Sequence, residues 1–232
     1  MINLGTTDFY IGVPSLPRQE FEEYSTRLFD AWEAQVEKTL SLSDYSLELQ
    51  VEEGSVKGAA TIGAAIMALY IGIGNYGSFI SGLQAIRAQV DSAGEFLAER
   101  SQVPFRSSGV APKIRKRGGS LSHLQRLFFK VQNREMTVEQ AMQEAQVILG
   151  DEATTAPEFL QKLEESLAQM PLSPHQLLLE HVEQEDQSAE SDKERVPRSP
   201  RPKPSLPPPQ QLRVTVWRES KKGKREVRVI EI

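Results

Sequence analysis

Between Lys57 and Arg87 the chain reads GAATIGAAIMALYIGIGNYGSFISGLQAI, a stretch from Gly58 to Ile86 without one charged side chain. It has to be covered by something, because about 20 consecutive apolar residues suffice to cross a bilayer and are costly to leave in water. Three covers are open to it. Lipid would make residues 58–86 a membrane-embedded helix, and the chain's own core would make them the central helix of a soluble bundle. A nucleotide is the third, since Gly72, Gly74 and Gly77 spell G-x-G-x-x-G, where glycines permit a tight turn and the approach of a pyrophosphate.

Periodicity favours a helix. Ile62, Ile66, Leu69, Ile73, Tyr76, Ile80 and Leu83 recur in the 4-3-4-3 rhythm of a coiled-coil seam, which continues through Val90 and Leu97. The rhythm predicts a helical pattern from Ala60 to Glu99, kinked or broken at Gly72-Ile73-Gly74-Asn75, where each glycine costs about 1 kcal/mol against alanine. Small residues at Gly63, Gly72, Gly74, Gly77 and Ser81 would let helices approach closely in lipid, while Asn75, Ser78 and Gln84 dilute the apolar run. The amphipathic continuation past Arg87 suits a protein core. The dinucleotide fold demands a second β-branched run within about 30 residues, and none follows. Asp91 and Glu95, at the distance of a ribose-binding acid, fall on the helical pattern instead.

Composition limits how much core the chain can build. Hydrophobic residues are 39% of 232, and the mean hydropathy is -0.41 because the chain after Pro171 is polar and Pro-rich. The core must therefore come from the first two thirds. A net charge of -5 argues against nucleic acid as a partner, since phosphate binding needs clustered Lys and Arg. The absence of cysteine removes disulfides, thiolate catalysis and Cys-based zinc sites. The start MINLGTTDFYIGVP lacks a basic then apolar leader, so we expect the cytoplasm or the cytoplasmic face of the inner or plasma membrane.

Residues 1–100 read as an α+β domain around the uncharged helix. DFYIGV, closed by Pro14, predicts a strand, and Ser15 offers a helix cap. Phe21, Tyr24, Leu28, Phe29, Trp32, Val36 and Leu40 then recur at helical spacing, giving a strongly amphipathic helix. From Tyr45 to Glu52 the period changes to two, with Tyr45, Leu47, Leu49 and Val51 on one face, which predicts a half-buried strand. This strand-helix-strand unit needs the uncharged helix as cover.

Residues 101–119 are expected to be a basic, polar linker. Within it Lys113, Arg115, Lys116 and Arg117 could meet an anionic surface, lipid rather than nucleic acid, because no aromatic residue is interleaved to stack bases. Residues 120–170 predict a helical mini-bundle. Ser120 starts a helix with Leu121, Leu124, Leu127, Phe128 and Val131, Thr137 and Gln140 form a capping box for a second, and Pro157 opens a third with Phe159, Leu160, Leu163 and Leu167. The segment LQRLFFKVQNREMTVEQAMQEAQVILG, Leu124 to Gly150, resembles the small helical-hairpin modules of the short C-terminal oligomerisation type, although here it is internal. That resemblance implies a protein-interaction or homo-oligomerisation element.

Residues 171–211 read as a disordered tether, acidic and then Pro-rich, in which Arg201 to Pro207 matches an R-x-x-P-x-x-P ligand form that proline spacers also generate freely. Residues 212–232 alternate again around Lys221-Lys222-Gly223-Lys224. They predict a β-hairpin whose Val214, Val216, Val227 and Val229 would serve a partner by strand addition. His123, His175 and His181 lack metal-ligand spacing, and there is no P-loop or G-x-S-x-G, so we expect no catalytic residue, metal or cofactor. The expected fold is thus α+β and mainly helical. The expected function is that of a non-catalytic interaction protein, membrane-associated through residues 58–86 as a conditional inserter or small pore-forming accessory or effector of bacterial type. A soluble scaffold or adaptor with a buried central helix is the alternative, and a dinucleotide-binding protein using Gly72, Gly74 and Gly77 the third reading.

Overall fold

The computed structural model describes residues 1–12, 16–53, 56–108, 112–171 and 211–232. In chain order these form β1 (Ile2–Ile11), α1 (Arg18–Thr39), β2 (Ser46–Glu52), β3 (Val56–Ala64), α2 (Ile66–Gly74) and α3 (Phe79–Ser101). A 3-10 turn (Val103–Ser108) then leads to β4 (Lys113–Arg117), α4 (Gly119–Gln132), α5 (Val138–Leu149), α6 (Glu152–Thr155), α7 (Pro157–Ala168), β5 (Leu212–Arg218) and β6 (Glu226–Glu231). All six strands join one antiparallel sheet in the order β4-β1-β3-β2-β5-β6. The class is α+β, and the strand-helix-strand unit is β1-α1-β2.

The uncharged stretch divides differently from its rhythm. Its first residues, 58–64, are not helical but belong to β3, which lies between β1 and β2. Gly58, Ala60, Ile62 and Ala64 face the helices, and their small size is used by their neighbours: a Cβ on Gly58 would stand 2.0 Å from Cζ of Phe9. A run of Ala and Gly carries good helix spacing by accident, and cross-strand partners on both sides make it a strand. The remainder is α2 and α3, bent by 111° at the expected Gly74-Asn75 region. Gly77 adopts a φ of +74°, and Ser78 caps α3 by accepting the Ser81 amide at 3.2 Å. The corner closes tightly, since a Cβ on Gly82 would lie 2.7 Å from the Ile73 carbonyl oxygen.

One sheet face is covered. α1 lays Phe21, Leu28, Phe29, Trp32 and Val36 into the core, and α3 crosses β1 so closely that a Cβ on Gly94 would stand 2.1 Å from Oγ1 of Thr7. The helices α4 to α7 are continuous with this core. Phe79 of α3 packs 6.1 Å from Phe128 and 5.2 Å from Phe159, ring centre to ring centre. The capping box at Thr137 and Gln140 forms as expected, and Pro157 starts α7.

Two further expectations change. Residues 113–117 are not a linker but the edge strand β4, paired with β1 through Phe9 and Ile114, because an edge strand tolerates charged side chains on both of its faces. The hairpin at 212–232 forms and docks, β5 pairing with β2, so that Val214 and Val216, expected to serve a partner, are fully buried in the chain's own core. Asp44 accepts the Lys221 amide at 2.7 Å, and Arg218 with Glu33 and Arg225 with Asp30 pin the hairpin to α1. The tether, its R-x-x-P-x-x-P match, His175, His181 and the Ser15 cap lie outside the described residues.

Candidate functional site

Among the described residues the second face of the sheet has no such cover. Side chains alternate along a strand, so residues between the helix-facing ones form three rows across the sheet. The first row is Lys113, Tyr10, Lys57, Glu52, Arg213 and Ile230. The second is Arg115, Asp8, Ala59, Gln50, Thr215 and Arg228. Arg117, Thr6, Thr61, Glu48, Trp217 and Glu226 make the third. Tyr10, Gln50, Lys57, Lys113, Arg115 and Arg228 are exposed.

Ala59 is the smallest side chain in the middle row, and the larger residues around it enclose a depression of about 440 Å³. Asp8, Tyr10, Gln50, Glu52, Lys57, Lys113 and Arg115 line it. Its two carboxylates already have partners, Asp8 in Arg117 at 2.6 Å and Glu52 in Arg213 at 2.6 Å. Lys57, Lys113 and Arg115 form no ion pair among the described residues. At the far end of the face Arg228 lies over the Trp217 ring, 5.4 Å from its centre.

The sheet's two edges differ. β4 carries four cations in five residues and is exposed throughout, which guards it against pairing. β6 is apolar by comparison: Val227, Ile230 and Ile232 are exposed, and Val229 is partly buried. The Ile232 amide donates to the Gln211 carbonyl at 2.7 Å. Since backbone groups alternate direction along an antiparallel strand, the N–H and C=O of Val227, Val229 and Glu231 point away from β5.

Other expected site residues fall elsewhere. Gly72 and Gly74 stand in α2 and Gly77 in the following turn, so a helix precedes the fingerprint where a dinucleotide site requires a strand. Of the seam, Ile62, Ile66, Leu69, Ile73 and Leu83 are buried in the core and Ile80 partly so, spread over a strand and two helices. No single helix among the described residues is long and apolar enough to cross a membrane; α2 and α3 reach that composition only together, across their bend. Lys113, Arg115 and Arg117 join the open face, whereas Lys116 points to the helix side and bonds Glu95. His123 is exposed on α4, and among the described residues no group of three His, Asp or Glu could hold a metal.

Tyr10, Lys57 and Trp217 were absent from the sequence-based candidates. Alternation marks each as facing opposite its apolar neighbours, but which strands lie side by side is a property of the register alone. No family model, curated protein or solved structure matches the chain.

Proposed function

We propose that the chain is a non-catalytic interaction protein that receives an extended segment of a partner protein by strand addition on the edge of β6, which no strand among the described residues covers. The observation that carries this reading is the outward direction of the Val227, Val229 and Glu231 backbone groups. Flanking them are exposed Val227, Ile230 and Ile232, which would grip alternate side chains of an added strand. Cations guard the β4 edge and leave β6 the edge able to pair. The hairpin α4-α5 offers a second surface through exposed Phe129 and Val147.

The membrane reading is less supported. Insertion of residues 58–86 would remove β3 from between β1 and β2 and expose Ile62, Leu69 and Leu83, all buried. Retention of the full chain in membranes after carbonate extraction would favour that reading over strand addition.

The test uses Val229→Pro. Its amide points outward, so proline leaves the β5 pairing intact while removing a donor from the free edge. A random peptide display against the full chain should enrich peptides of alternating apolar pattern whose binding falls at least about tenfold in Val229→Pro, the loss of one to two backbone hydrogen bonds. Equal binding by the variant, or no enrichment, would overturn the reading.

A further inference from the structure

The depression on the open face is separate from the β6 edge, and we infer that it binds single-stranded nucleic acid. In the first row Lys113 and Lys57 stand directly opposite Tyr10 on either side, and cross-strand neighbours lie about 4.5–5.5 Å apart. An exposed aromatic ring between two ammonium groups, with Arg115 in the next row, pairs a stacking surface with phosphate-binding charge.

The charge is available for a ligand. Asp8 and Glu52 are taken up by Arg117 and Arg213, while Lys57, Lys113 and Arg115 have no carboxylate partner among the described residues. Glu48 and Glu226 stand in the third row and confine a phosphate path to the first two. Beyond the Glu52–Arg213 ion pair the second row adds one more cation, Arg228, which lies on Trp217.

Shape selects a polymer. A small molecule is held by a cleft that buries most of its surface, whereas this site is an open dish on a sheet. An acidic peptide would satisfy the lysines but would leave the Tyr10 ring unused. Single-stranded nucleic acid uses both, because every base has a face to stack. The net charge of -5, taken alone, argues against nucleic acid, but the register supplies the clustered Lys and Arg that phosphate binding needs, and binding responds to their local field.

The experiment is fluorescence anisotropy of a labelled oligothymidine of about 12 nucleotides with the full chain between about 50 and 200 mM salt. Three phosphate contacts predict a slope of log affinity against log salt of about -2, and Lys57→Gln should make it shallower by about 0.7. Tyr10→Ala should weaken binding about tenfold without changing the slope, and Tyr10→Trp should restore it. Val229→Pro should bind the oligomer as the natural chain does, which keeps the strand-addition reading separate. No binding at the lowest salt, or a slope insensitive to Lys57→Gln, overturns the inference. If an oligoglutamate peptide binds and oligothymidine does not, the dish is an acidic-peptide surface and the inference also fails.

Discussion

Tyr24 donates its hydroxyl to the Ser101 carbonyl at 2.8 Å, tying α1 to the end of α3, and its ring packs 5.5 Å from Phe105. Burial pushes this phenol well above its usual range. The raised value fixes the sign of a pH effect. The unfolded chain sheds the proton near pH 10 while the folded chain keeps it. The contribution is therefore fully present below about pH 10 and is lost as pH rises through the folded value. Tyr24→Phe should cost about 1 kcal/mol at neutral pH, the worth of the hydrogen bond. It should also lose less stability than the natural chain between about pH 8 and pH 11. Urea unfolding at both pH values checks this, and equal losses in the two proteins would contradict it. Residues of this kind were legible in part: the spacing of Phe21, Tyr24, Leu28 and Trp32 marks a buried face, but nothing in it says that the Tyr24 hydroxyl meets Ser101, far along the chain.

Elements were legible wherever their signal is local. The α5 cap is written in Thr137 and Gln140, which exchange backbone and side-chain bonds at 3.2 and 3.0 Å. Thr137→Ala should cost about 1 kcal/mol in thermal or urea unfolding, and Thr137→Ser should restore most of it. The alternation of Tyr45 to Val51 likewise gave β2 its correct face. Where the signal depends on neighbours, the sequence misleads. Residues 58–64 have the spacing of a helix, and only the fit of Gly58 beneath Phe9 and of Ala60 between Thr7 and Leu49 makes them a strand. The basic run at Lys113–Arg117 looks like a loop for a related reason, since an edge strand needs no apolar alternation once its neighbour supplies the hydrogen bonds.

For the whole molecule, the decisive contact joins the two ends of the sequence. β5 closes the β2 edge and adds Val214 and Val216 to the core formed by residues between Ile2 and Leu167. Removing residues 212–232 should leave Leu49 and Val51 beside an open edge. We expect lost cooperativity in circular dichroism and aggregation in light scattering, whereas a monodisperse, cooperatively unfolding truncation would show that the hairpin is an appendage. The sequence by itself determined the α+β class, the amphipathic face of α1, the capping box of α5 and the presence of a terminal hairpin, because each rests on periodicity or on groups a few residues apart, whereas Ser120, expected to cap α4, lies inside that helix behind Gly118. Tertiary structure alone decided what covers the uncharged stretch, since β3 is fixed by pairing with β1 and β2 on its two sides. It also decided that Tyr10, Lys57, Lys113 and Arg115 share one open surface. That surface is a consequence of register between strands distant in sequence, a quantity that no local pattern encodes.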